Sequence, residues 1–316
     1  MPKRKKLPQR TAAQMTRQAE HLARRLASRE KERIAAENAS HEKRSLAEKE
    51  RAASRSFSRK LDWASHHIEN LRQTTDAWLG TDAYSFIPDT NPQTGRTVVR
   101  AKIRKPPPPE LALMVGDAIH ALRATLDHLA LELAIAFCHP KLIPAEVEET
   151  SEFVIIGDAD EVRGTHRFDS AAGSKLKGID PDARKAIKGI QPYHRKTTYA
   201  EDPLWVIHEL DRIDKHRRLN LTAYALGSVG LGGPAGGSGY IEYLHLERMG
   251  HAGPVEDGTE VAAFTARNAS FQMNFAREIT LAEPSLPNAV IAVQTLTRLR
   301  DYVNNEVVPL LTPFLR

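Results

Sequence analysis

Residues 110–137, ELALMVGDAIHALRATLDHLALELAIAF, set the fold of the chain. Turning about 100° per residue, Val115, Ile119, Leu122, Leu126, Leu129, Leu133 and Phe137 fall within one arc of about 80°. A helix with so deep an apolar stripe has to be covered along its length, so it is expected at the centre of the domain. Its other side is ionic. With His120 as origin, Asp127 lies near about −20°, Arg123 near about −60°, and Asp117 and His128 at about +60° to +80°. Arg123 and Asp127, four residues apart, are spaced to pair.

Outward from this helix the chain changes character several times. Before it, Leu61 to Leu79 predicts a helix with Leu61, Ala64, Ile68, Leu71 and Trp78 on one side, closed by Gly80. Residues 82–104 alternate, and Asp89 to Gly95 supplies turn residues, so a hairpin is expected there, ended by the stiff run Pro106 to Pro109. After it come an apolar run, Phe153 to Ile156, and a short helix near Pro181 to Ile190. A further helix runs from Pro203 to His216 with proline in its first turn. Strands are expected at Leu219–Ala225, Tyr240–Leu246, Val261–Ala266 and Phe271–Ile279, then a last helix from Asn288 to Leu311 carrying Ile291, Leu296, Leu299, Val303 and Val307. The three tryptophans, Trp63, Trp78 and Trp205, sit at apolar helical positions and read as core.

Charge divides the chain more sharply than hydropathy does. Residues 1–60 hold 18 of the 45 Lys and Arg but 7 of the 40 Asp and Glu, a net +11 against −6 for the remainder. From Thr11 to Lys60 there is no Gly or Pro, a helix-forming mixture, yet the large apolar residues are too few for a buried stripe. An arm of this kind points to a polyanion, because Lys and Arg gain by displacing condensed counterions. Lys3, Arg4, Lys5, Lys6, Arg10, Arg24 and Arg25 are the candidate nucleic-acid-binding residues, with RNA or the ribosome as partner. The organisation expected is α+β, mainly α: a basic helical or disordered arm over 1–60, then over 61–316 a helical bundle with a hairpin at 82–104 and antiparallel strands within 219–279.

Several function classes are excluded. One cysteine, Cys138, builds neither a disulfide framework nor a thiolate cluster, and a cytoplasmic location is expected. No stretch is long and apolar enough to cross a membrane, and the basic start is not followed by an apolar signal region. Neither a Walker loop nor a Gly-x-Ser-x-Gly elbow occurs. Gly230 to Ala235 approaches a dinucleotide fingerprint, but Tyr240 to Leu244 reads as a strand where a helix N-terminus would be needed. A metal site assembled from Asp117, His120, Asp127 and His128 with His208 and Asp211 lacks the paired Glu-x-x-His elements of carboxylate-bridged bundles, so no metal and no cofactor are expected.

The ionic flank is the sharper signal. A histidine near its working pKa can move protons to and from a 2′-hydroxyl or leaving oxygen, while an arginine neutralises charge on the phosphoryl oxygens. Two arginines have a histidine at this kind of spacing, Arg59 with His66 and Arg123 with His128; only the second lies on the strongly patterned helix.

Arg123-Ala124-Thr125-Leu126-Asp127-His128 resembles the Arg-x4–6-His motif of HEPN-domain ribonucleases. The stretch Gly116 to Ala130 and the later Ile213-Asp214-Lys215-His216-Arg217 are also similar to a group of uncharacterised bacterial proteins. Ala124 stands where the family usually carries a polar residue. The resemblance implies a HEPN-like bundle and metal-independent RNA cleavage in a site shared by two protomers of a homodimer. In it His128 would be the acid or base and Arg123 would hold the scissile phosphate. His120, Asp127, Asp117, Asp214, His216 and Arg217 would be supporting groups, and a toxin or phage-defence role is expected, the existence of an antitoxin being left open by the sequence. The competing expectation is a non-catalytic nucleic-acid- or ribosome-binding protein. The structural alternative is that Arg123–Asp127 is an ion pair and His128 a satisfied helix histidine, with His216 explained by the negative end of its helix.

Overall fold

The computed structural model describes residues 31, 33, 55–138, 149–157, 167–219, 221–230, 243–249, 255–267, 272–283 and 290–315. Everything below concerns these. The chain divides between Arg55 and Ser56, and the unit from Ser56 onward is mainly helical with antiparallel strands.

Helix α1 (Ser56–Gly80) buries Phe57, Leu61, Ala64, Ile68, Leu71, Thr75 and Trp78, all on one side of the cylinder. It packs against α2 (Glu110–Cys138), the most buried helix, whose Val115, Ile119, Leu122, Leu126 and Leu129 have no exposed surface at all. Ser56 bonds Glu132 near the far end of α2, both its N–H and its hydroxyl donating to Oε1 at 2.7 Å, so the two helices run antiparallel. Between them lies the hairpin β1 (Tyr84–Thr90) and β2 (Arg96–Ile103), turned by Gly95 at φ +70°. Tyr84 is fully buried, its ring 5.8 Å from that of Trp78.

Beyond α2 come two short helices, α3 (Arg167–Lys175) and α4 (Pro181–Gly189), the second capped by Asp180, which accepts from the Asp182 and Ala183 N–H groups. Helix α5 (Pro203–Asp214) begins the same way, with Asp202 accepting from Leu204 and proline in the first turn. The strands β3 (Leu221–Gly230), β4 (Tyr243–Met249), β5 (Glu260–Arg267), β6 (Gln272–Leu281) and β7 (Val290–Ile291) follow. They form two sheets, one in the order β1-β2-β5-β4 and one in the order β3-β6-β7. Helix α6 (Ala292–Tyr302) continues through a π-helical turn, Val303–Val307, into α7 (Val308–Leu311). Helices α1, α5 and α6 all contact α2, which places the stripe at the centre as expected.

Four expectations need correction. Phe137 belongs to the apolar arc by angle but is 51% exposed, because α1 begins opposite Glu132 and no longer covers the last turn of α2. Trp63 is 55% exposed, since it lies well over 90° from the centre of the arc that α1 buries. Ile291 lies in β7, where it pairs with Thr280, so the terminal helix starts one residue later and not at Asn288. Helix α5 also stops at Asp214, two residues short of His216. The expected strand at residues 240–242 and most of the glycine-rich stretch, 231–239, fall outside the described residues.

Candidate functional site

Arg123 is the centre of the ionic flank. Although charged, it is 5% exposed, and residues 151–157, which form neither helix nor strand, meet it at Glu152 and Phe153. Its Nη2 lies 2.9 Å from Asp127 Oδ1 and 3.0 Å from Glu152 Oε1, and donates to the Phe153 carbonyl at 2.9 Å. Asp127 turns the same way and accepts from the Phe153 N–H at 3.0 Å. The two side chains thus grip both backbone groups of one residue, and Phe153, fully buried, is held against α2.

The far side of this segment is held by Gln191. Its Oε1 accepts from the Ile156 N–H at 2.8 Å, and its Nε2 donates to the carbonyls of Val154 and Ile187 at 2.9 and 3.1 Å. Without these partners residues 153–156 would bury unpaired backbone groups, each a substantial cost. Gln191 and Glu152 were not foreseen from the sequence. Their meaning comes mainly from contacts 29 to 37 residues distant, which no local motif announces.

Electrostatics at the flank follow from burial. Desolvation lifts the Asp127 carboxyl above its ordinary value despite the Arg123 charge beside it. Glu152 feels the same upward push but ends below its ordinary value, because Lys175, 2.8 Å away, and Arg123 outweigh it. His208 on α5 is held below the usual histidine range, first by burial and then by Arg123. A histidine that interacts electrostatically with Arg123 is therefore His208, from another helix. The His128 Nδ1 and the Arg123 Nη1 are both buried without a hydrogen-bond partner.

The remaining expected site residues gather where α2 meets the end of α5. His120, 63% exposed, places Nδ1 3.2 Å from Oδ1 of the buried Asp211, whose Oδ2 is 2.7 Å from Lys215 Nζ. With its proton on Nδ1 the ring donates to Asp211 and keeps Nε2 as a base. Gly116 lets α5 come close: a Cβ there would stand 2.5 Å from Asp214 Oδ1. Burial raises the Asp214 carboxyl above its ordinary value, and the charges of Asp117, itself exposed, and Asp211 raise it further. Arg217 is drawn away to the buried Glu283, at 2.5 Å, and His216 is exposed beyond the helix end.

The flank is thus populated mainly by carboxylates: Asp117, Asp127, Glu152, Glu209, Asp211 and Asp214 surround Arg123, Lys175, Arg212 and Lys215. Among the described residues no group of three or more His, Cys, Asp or Glu is placed to hold a metal ion, and no helix is long and apolar enough to cross a membrane. Lys3, Arg4, Lys5, Lys6, Arg10, Arg24 and Arg25 lie outside the described residues. Comparison with protein-family models, curated proteins and solved structures finds no match to this chain.

Proposed function

We propose that the chain is a non-catalytic RNA-binding protein, acting on free or ribosomal RNA, in which the basic segment 1–60 supplies the electrostatic grip and the body is its scaffold. The observation that carries this is the charge division: net +11 over residues 1–60 against net −6 over the rest. Phosphates are attracted to the first and repelled by the second. The surroundings of Arg123 support it from the other side. The guanidinium charge is already compensated by Asp127 and Glu152, and because its free Nη1 is buried a phosphate could reach it only by displacing the segment that covers it.

The test keeps the full chain. Replacing Lys3, Arg4, Lys5, Lys6, Arg10, Arg24 and Arg25 by Gln should weaken binding to a single-stranded RNA. It should also flatten the dependence of log K on log salt by up to about 5, at about 0.7 per lost phosphate contact. Binding measured by anisotropy that is unchanged in both respects would overturn the reading.

A second reading, a HEPN-type metal-independent endoribonuclease with a toxin or phage-defence role, is favoured by the His120–Asp211 pair, a half-exposed imidazole oriented by a buried carboxylate. It requires RNA incubated with the protein in EDTA to yield 2′,3′-cyclic phosphate ends, lost in His120→Ala or His128→Ala. Intact RNA under all conditions excludes it.

A further inference from the structure

Trp63 is exposed in a setting that a core residue would not have. It stands on the solvent side of α1, stacked on His66 with ring centroids 5.2 Å apart and planes inclined by 25°, and meeting His67 edge-on at 5.0 Å. Asn70 fixes the His66 ring, Nδ2 lying 3.0 Å from Nε2. At 100° per residue Ser56, Arg59, Trp63, His66 and Asn70 fall along one stripe of the helix, with the exposed Arg59 one turn before the tryptophan. The acidic residues of α1 lie to the flank of this line, Asp62 and Glu69 among them, with Glu69 engaged by Arg72 at 2.6 Å; Glu132 of α2 meets the line only at its first residue, Ser56. The stripe therefore combines an exposed indole, ordered imidazoles stacked against it, a cation and an amide.

Flat aromatic faces flanked by cations are what single-stranded nucleic acid uses, since every base has a π-face and every linkage a charge. Sequence continuity adds to this, because the net +11 segment runs directly into the first turns of α1.

We infer that the Arg59–Trp63–His66 stripe of α1 is a stacking platform for unpaired bases of single-stranded RNA, with Arg59 on the adjoining phosphate. This rests on the RNA-binding reading above and adds where the bases go. The basic segment gives affinity through phosphates; the platform discriminates unstacked strand from duplex, whose bases are not available to it.

The experiment uses the full-length chain and a fluorescein-labelled 12-nucleotide oligouridylate, read by anisotropy over a range of KCl concentrations. Trp63→Ala should weaken binding by about 5- to 150-fold, the range lost when a stacked aromatic is truncated, with the salt slope unchanged. Trp63→Phe should recover most of the loss. In the wild type, oligouridylate should quench tryptophan emission, whereas inorganic polyphosphate, which has charge but no bases, should not; Trp63→Phe should show no such quenching.

Equal affinity of the wild type and Trp63→Ala overturns the platform while leaving the RNA-binding reading intact. So does equal quenching in the wild type and Trp63→Phe. A wild-type chain that does not bind oligouridylate at all overturns both.

Discussion

Two arginine–histidine spacings lie on neighbouring helices and meet opposite surroundings. On α2, Arg123 is buried, compensated by Asp127 and Glu152, and joined to Phe153. On α1, Arg59 and His66 flank an exposed Trp63. The arginine of the first spacing is therefore engaged in holding a segment in place, while the spacing that straddles the charge boundary faces water. What separates them is not local sequence but what the rest of the chain lays across each helix. A motif read along one helix says which side chains can meet, and not whether a third element has taken them.

The contrast can be broken experimentally, and the largest effect should come from Arg123. Its removal, as Arg123→Ala, leaves Asp127 without its counter-charge and the Phe153 carbonyl without its donor. Breaking a buried pair costs about 3–5 kcal/mol; the lower end is expected because Glu152 is half exposed. Urea unfolding measures this, and a loss below about 0.5 kcal/mol would show that the arginine is not structural. Gly116→Ala should come next, at about 1–3 kcal/mol, since its Cβ would overlap the Asp214 carboxylate and push α5 from α2.

Acidity should act on the same seam. His208 has a folded-state pKa below its ordinary 6.5, so the unfolded chain takes up the proton first and stability falls as pH drops through about 6.5. His208→Gln should flatten thermal unfolding against pH in that window. Asp214 is raised and works in the opposite sense: its burial favours the protonated form, so it costs stability at neutral pH and ceases to do so on acidification. Asp214→Asn should accordingly raise Tm at pH 7. The smallest effect on stability is expected at the other helix. Trp63→Ala, on an exposed face, should change unfolding by less than about 0.5 kcal/mol, and a large loss there would mean that Trp63 is packing after all.

Much of the fold was legible because it is periodic. The stripe of α2, the buried side of α1 and the hairpin with its turn all announce themselves at 100° or 180° per residue, and Asp202 with Pro203 marks the start of α5. Periodicity fails where an element outlasts its neighbour. Phe137 has the correct angle but lies beyond the start of α1, and Ile291 keeps helical spacing yet joins a sheet edge. Of the site, the Arg123–Asp127 pair was readable from its spacing. The placing of His208, Glu152 and Gln191 was not, because a segment with no periodicity of its own brings them together.

The hairpin also constrains how the molecule comes to be made. Strand β2 leaves its outer edge to β5, which lies about 160 residues later in the chain. At roughly 5–20 residues per second, a ribosome exposes Arg96–Ile103 for about 8 to 30 s before its mate has been translated. During that interval the unpaired ladder of a nascent chain invites strangers, including the same strand on a neighbouring polysome. The alternating arginines and lysine of RTVVRAKI, at 96, 100 and 102, are suited to guard it until β5 arrives.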